Sequence, residues 1–332
     1  MDSTKQERKH YMVTSTPHIR AKATVQSVML DVLIALAPAA VMAVVYMGLP
    51  ALVVMVSAVV SCVFFEALYQ KLMKQKITVR DLSAAVTGLL LAFNLPASAP
   101  VWMVVVGSFV AIVLVKQLFG GLGQNFINPA LTARAVLLAA YPTQMTDWSI
   151  TPVVDAVTSA TPLTALNEGA LSPQMADIVD ALLGRVGGCL GETCAVALLA
   201  GGVYLLIKRV ITWRIPVIYI GTVFVLTWVL GRGGSGFFTG NPAYEIFLGG
   251  LMLGAFFMAT DYTTSPITPS GQIIMALGCG LITVLIRVYG SYPEGVSYSI
   301  LLMNLCVPLI DRVTRPRIYG QLPKEKGGRK NA

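Results

Sequence analysis

Between residues 155 and 163 the sequence reads Asp155-Ala156-Val157-Thr158-Ser159-Ala160-Thr161-Pro162-Leu163, an acid followed by hydroxyls and small residues before a proline. Such a run suits an exposed turn or a helix N-terminus, where Ser and Thr oxygens cap free backbone N–H groups. A second group of candidates consists of charged residues within or at the ends of apolar runs: Asp31, Glu66, Asp81, Arg134, Glu192, Glu245, Asp261 and Glu294. A charge deep in a bilayer costs about 2.5–3.5 kcal/mol on insertion scales, so each needs a partner or water. Asp81, Glu245 and Glu294 are expected near span ends, solvated at the interface or capping helices. Arg134 follows Asn128-Pro129-Ala130 by one turn and is expected to pair with Asp81 or Glu245, or to meet a polar cofactor. Asp261 lies in Thr260-Asp261-Tyr262-Thr263-Thr264-Ser265-Pro266, a polar break that either reverses the chain or binds a cation or the polar edge of a cofactor. The five cysteines, Cys62, Cys189, Cys194, Cys279 and Cys306, lack the paired spacing of a zinc or iron–sulfur site. They read as small buried side chains, with no metal site.

Helices must carry these residues, because the solvent of this chain is mostly lipid. Of 332 residues 55% are hydrophobic and 12% charged, and a soluble domain carries roughly twice that share of charge. Apolar windows fall at 25–46, 50–70, 80–95, 100–118, 128–141, 186–207, 215–231, 243–259, 271–289 and 297–310. A backbone in hydrocarbon must bond to itself, so each window predicts a helix and the fold class is an all-α polytopic membrane protein of about ten spans. Several are short or interrupted, at Asn94-Leu95-Pro96, Asn128-Pro129 and Asn241-Pro242. Interrupted helices at membrane depth belong where they meet protein or line a cavity.

Lys and Arg set the expected orientation, since cytoplasmic loops collect them. They mark the N-terminus, the 71–80 loop, Lys116, the 208–214 loop and the tail, whereas residues 142–184 hold five acids and no Lys or Arg. Both termini are therefore expected in the cytoplasm and the long loop outside. The first 24 residues, with Lys5, Arg8, Lys9, Arg20 and Lys22, show no small-residue cleavage site, and no removable signal peptide is expected. The net charge of +8 follows the span ends rather than a nucleic-acid-binding domain. The divisions are a cytoplasmic segment 1–24, five spans over 25–141, an extracytoplasmic loop 142–185, five spans over 186–310 and a basic cytoplasmic tail 311–332. Two five-span sets entering from opposite faces form an inverted repeat. Gly88-Leu89-Leu90-Leu91-Ala92 and Gly250-Leu251-Met252-Leu253-Gly254, each preceded by an acid, give it weak support.

The segment from Asp155 to Thr161 resembles the flavinylation motif read by extracytoplasmic flavin transferases, in which the last Thr takes FMN through a phosphoester. The resemblance places covalent FMN on Thr161, with Asp155, Thr158 and Ser159 as residues that the transferase recognises. Thr164 lacks the preceding Ala and the spacing from the acid. Over nearly its whole length the chain resembles the family shared by the D subunit of the Rnf complex and the B subunit of the sodium-pumping NADH:quinone oxidoreductase. The resemblance is carried by Phe126-Ile127-Asn128-Pro129-Ala130, the flavin motif, Met258 to Pro266, and Tyr292-Pro293-Glu294-Gly295-Val296 with Leu301-Leu302-Met303-Asn304. The short N-terminus and Thr314-Arg315-Pro316-Arg317 are closer to the Rnf member of that family.

That resemblance implies a redox relay in a bacterial inner membrane, passing electrons between ferredoxin and NAD while Na⁺ or H⁺ is moved. It also implies a non-covalent riboflavin, for which Arg134, Asp261 and Thr263 are the candidate second flavin or ion site. No GxGxxG follows a strand and no cysteine cluster exists, so NAD binding and iron–sulfur chemistry fall to partner subunits. The chain itself then holds no complete active site and no catalytic residue. A channel or solute carrier without redox chemistry is the rival of another class, because broken helices and inverted repeats describe carriers equally well.

Overall fold

The computed structural model describes residues 24–147, 188–192, 194–231, 242–290 and 295–315, with Val179, Leu182 and Phe238 as isolated positions. The described residues form helices and no strand. The first helix, α1 (Val25–Leu72), has 48 residues, about 72 Å if straight, more than twice the hydrocarbon thickness of ~30 Å. It does not run straight. Gly48 (φ 70°, ψ −154°) breaks it into two arms, in a conformation that side chains resist, and Pro50 starts the second arm without needing an N–H donor. These arms answer the two windows at 25–46 and 50–70. Their buried faces carry small residues (Ala35, Ala39, Ala43, Ala51, Ala58, Cys62), while Val41, Val45, Val53, Val60 and Phe64 face outward.

The next elements follow the predicted windows: α2 (Ser83–Phe93), α3 (Val101–Phe109, continuing as a π-helical stretch to Gln117) and α4 (Pro129–Ala140). Asn128 caps α4 by accepting from the N–H groups of Ala130 (3.1 Å) and Leu131 (3.3 Å), with Pro129 at the first position. Two windows are corrected. The helix expected over 186–207 begins only at Ala195 (α5, Ala195–Ile207), after a 3₁₀ turn at Leu190–Glu192. After α5 comes α6 (Arg214–Leu230). The helix expected over 243–259 is interrupted after its first turns: α7 is Pro242–Phe247, a break at 248–250, then Leu251–Leu253 and a π-helical Gly254–Met258. Helices α8 (Pro269–Tyr289) and α9 (Val296–Val313) complete the set. Helices α1, α8 and α9 are long and apolar enough to cross a membrane alone, and the other helices are shorter pieces.

Helix pairing recurs across the two halves. In the first, α1 packs on α2 and α3, and α3 on α4; in the second, α6 packs on α7 and α8, and α8 on α9. The halves meet where α1 touches α5 and α4 touches α9. Glycine sets several of these contacts, as expected where lipid provides no hydrophobic drive and close van der Waals approach must hold helices together. At Gly88 an added Cβ would lie 2.8 Å from both the Ala58 carbonyl oxygen and Val59 Cα. Gly280 abuts Thr222 in the other half, and Gly201 abuts the backbone of Ala35 between halves. The two glycine-rich motifs compared in the sequence do different work: Gly88 sits inside a helix, whereas Gly250 belongs to the break in α7. Gly88→Val should force α2 off α1 and cost about 1–3 kcal/mol by overpacking, read as a lower melting temperature of the purified membrane protein. Gly221→Ala, where nothing stands within 4 Å of the new Cβ, should leave it unchanged.

Candidate functional site

The segment that resembles a flavinylation motif, with Asp155, Thr158, Ser159 and Thr161, lies outside the described residues. What is described is how the loop bearing it leaves and returns. On the way out, Pro142–Met145 forms one helical turn with Met145 buried, and Ser98 Oγ donates to the Asp147 carbonyl at 2.7 Å. On the way back, Leu190 N–H donates to the Leu95 carbonyl at 3.0 Å, and Cys189 Sγ lies 3.5 Å from the Asn94 carbonyl. Both ends are therefore tied to one short segment, residues 94–98, that follows α2.

From that segment a polar thread runs inward. Asn94 Nδ2 donates to the Leu90 carbonyl at 2.7 Å, and its Oδ1 accepts from Arg134 Nη1 at 2.9 Å. Of the partners weighed for Arg134, Asp81 caps α2 by accepting from Ser83 N–H (2.9 Å) and Oγ (2.7 Å), and Glu245 holds Arg287. Glu245 is thus no interface residue: it is buried, and Arg287 Nη1 reaches both its Oε2 (3.1 Å) and its carbonyl (2.6 Å) while Nη2 reaches the Leu248 carbonyl. The guanidinium thereby occupies carbonyls that the break in α7 would leave open. Arg287 also departs from the loop rule for basic residues, because it is a buried structural cation. Asn128 Nδ2 donates to the Met258 carbonyl at 3.4 Å, and Asn94 Nδ2 lies 3.7 Å from Met258 Sδ. In the amide orientation that suits its neighbours, Asn304 donates to the Ile300 and Thr264 carbonyls and accepts from Asn128 N–H. Three asparagines thus join α2, α4 and α9 around the end of α7.

The thread ends at a partly open cavity between the halves. Apolar side chains line it from α1, α2 and α7 (Val28, Val32, Val86, Leu90, Phe256, Phe257), and Ser83 and Thr87 of α2 join Asn125, Asn128, Thr260, Asp261, Thr263 and Lys116 in supplying polar groups. Asp261 takes the turn-forming role weighed from the sequence and also faces the cavity. It shapes a turn by accepting from Thr263 Oγ1 (3.0 Å) and Thr264 Oγ1 (3.4 Å), and it lines the cavity. Tyr262 OH donates to the Val210 carbonyl and ties this turn to the segment before α6. Of the three residues grouped as a second site, Asp261 and Thr263 come together; Arg134 is not among the cavity's lining residues.

Sequence reasoning missed the cavity's buried cation. Lys116 marks a span end in sequence, yet only 2% of it is exposed. Its Nζ lies 3.0 Å from Glu66 Oε1 and 2.6 Å from Ser83 Oγ, and Gln117 Nε2 donates to Glu66 Oε1 at 2.8 Å. Glu66 stood out as an acid in an apolar run, but nothing local says that its partner lies 50 residues away. Among the described residues no group of His, Cys, Asp and Glu forms a metal site. Four cysteines are buried free thiols and Cys306 is exposed.

Comparison with known proteins points to a subunit of an ion-translocating oxidoreductase complex. The D subunit of the Na⁺-translocating ferredoxin:NAD⁺ oxidoreductase complex of Acetobacterium woodii is 55% identical over 310 residues, covering 93% of this chain and 95% of that protein. The D subunit of the proton-translocating ferredoxin:NAD⁺ oxidoreductase complex of Clostridium ljungdahlii is 46% identical, covering 93% and 96%. Its counterpart in the ion-translocating oxidoreductase complex of Halorhodospira halophila is 39% identical, covering 92% and 94%. Residues 12–320 match the family described as NQR2, RnfD, RnfE, so with the broken helices, buried ion pairs and inter-half cavity in place, this chain belongs to that family.

Proposed function

We propose that this chain is the membrane flavoprotein subunit of an ion-translocating ferredoxin:NAD⁺ oxidoreductase complex, relaying electrons through FMN esterified to Thr161. The names of its relatives support the complex, and the motif from Asp155 to Thr161 supports the flavin. The observation that carries the reading is the double tether of the motif-bearing loop to residues 94–98. A ring esterified to that loop by its phosphate tail cannot diffuse away from the protein. In this reading both termini are cytoplasmic and the loop is extracytoplasmic, in the inner membrane of a bacterium. Partners would be peripheral flavin and iron–sulfur subunits, further membrane subunits, and a flavin transferase for maturation.

This reading puts a second, non-covalent flavin of the riboflavin type at the cavity. Apolar side chains from α1, α2 and α7 would face the ring, while Asn125, Asn128 and the Asp261 turn would meet its polar edge. A bound flavin supplies the capacity to accept and release electrons; this chain supplies position, exclusion of water and hydrogen bonds. Lys116 brings a cation to the same wall, paired with Glu66.

Counting flavins in the purified complex tests both parts. Made alongside its transferase, the denatured chain should fluoresce in a gel under ultraviolet light, and acid precipitation should release a further flavin. Val32→Trp, which fills the cavity from α1, should cut the released flavin severalfold and leave the fluorescent band intact. A chain with no fluorescent band would instead fit a carrier without redox chemistry, and an unchanged released flavin would move the second site elsewhere.

A further inference from the structure

Glu192 carries a buried carboxylate oxygen that the fold leaves bare. Its Oε1 exposes under 1 Å² and, among the described residues, has no hydrogen-bond partner, although part of the residue reaches solvent. The side chain stands on the 3₁₀ turn Leu190–Glu192, in the break before α5, where the two halves meet. Gly191 beside it fits so closely that an added Cβ would lie 2.7 Å from Phe93 Cβ and from a Leu253 methyl. Across the gap, Oε1 stands 3.3 Å from where a Cβ on Gly250 would sit, in the break of α7. Two interrupted segments, one before α5 and one within α7, therefore meet over one acid, and broken helices of this kind form ion sites at repeat interfaces.

Among the described residues, the charged and titratable groups around it are Arg134 from α4, Arg287 from α8, and Cys189 of its own segment. Glu245 on α7 is engaged by Arg287. The two guanidinium groups attract the carboxylate through space, yet neither donates to Oε1. A bare carboxylate in the interior is costly, and a small cation removes that cost.

We propose that Glu192 is a binding site for a small monovalent cation, H⁺ or Na⁺, reached from the face that bears the motif loop. Binding adds the cation to the carboxylate, with no electron transferred and no other bond broken. The site rests on the reading of the chain as a subunit of an ion-translocating complex, and it places one step of that movement on this subunit.

Dicyclohexylcarbodiimide, which reacts with protonated carboxyls in apolar surroundings, tests this on the intact native complex, with the modified peptide found by mass spectrometry. Labelling of Glu192 should occur at acidic pH. If it falls severalfold at alkaline pH whatever the salt, the cation is a proton; if added NaCl, but not KCl, suppresses it at constant pH, the cation is Na⁺. No labelling at any pH, or labelling indifferent to both, overturns the proposal. Glu192→Gln should keep the fluorescent flavin band while ions moved per electron fall severalfold, and an unchanged ratio also overturns it. Loss of the band in the native chain would instead sink the flavoprotein reading, so the two failures remain distinct.

Discussion

Thr161→Ala is expected to abolish the ultraviolet fluorescence of the denatured polypeptide while the helices stay inserted. The effect is all or none, because a phosphoester needs one specific hydroxyl oxygen and alanine has none. Three other hydroxyls stand near, at Thr158, Ser159 and Thr164. Thr158 and Ser159 lie within the recognised stretch rather than at its end, and Thr164 lacks the preceding Ala and sits three residues farther from Asp155. Insertion should not change, since the tethers from Ser98 to Asp147 and from Leu95 to Leu190 lie outside the motif, and so do all the described helices. The measurement is the gel band of the variant beside the native chain, both made with the transferase, normalised to an immunoblot of the same lanes. A band of native brightness would assign the flavin to another residue. On the proposed reading, electron transfer through the complex should fall with the band, because the relay would have lost the flavin on Thr161.

Much of the scaffold was legible in the sequence because lipid-facing helices must be apolar along their whole exposed surface. Each of the ten windows therefore finds helical residues in the structure. The gap between the windows 25–46 and 50–70 coincides with the break of α1 at Gly48, and Asn128-Pro129 marked the start of α4, since a capping side chain is local chemistry. The breaks before α5 and within α7 were not legible. Their sequences, Gly188-Cys189-Leu190-Gly191 and Leu248-Gly249-Gly250, are as apolar as a span, and glycine is common in membrane helices. What interrupts them is tertiary: Gly191 wedges against Phe93 and Leu253, and Arg287 occupies carbonyls of Glu245 and Leu248. Charges show the same division. That Glu66, Arg134, Glu192 and Glu245 were out of place could be read from their neighbours in sequence, but the partners of Glu66, Arg134 and Glu245 could not. Arg287 escaped notice because a basic residue near a helix end reads as an interface charge, and its burial is visible only once α7 is seen to break beside it.

Lys116→Ala should be among the most damaging single substitutions in the described helices, and the reason lies in what it leaves behind. Glu66 is 1% exposed, on the second arm of α1, and would remain in the interior with the neutral amide of Gln117 donating at 2.8 Å but no cation beside it. Removing one partner of a buried pair typically costs about 3–5 kcal/mol, because the surviving charge has neither water nor counter-ion. The loss should be larger than that of the exposed pair between Lys208 and Asp31, which are 4.0 Å apart with Lys208 half in solvent; such pairs are worth about 0–1 kcal/mol. Pairing Lys116→Met with Glu66→Leu should recover most of the stability, since both desolvation penalties vanish together. Thermal unfolding of the detergent-solubilised chain gives the four corners of this cycle. The double variant also separates structure from function: it should fold while losing the cation on the cavity wall. If Lys116 only supports the helices, the released flavin will match the native amount in that variant; if its charge helps to hold the cofactor, the released flavin will fall although the protein is stable.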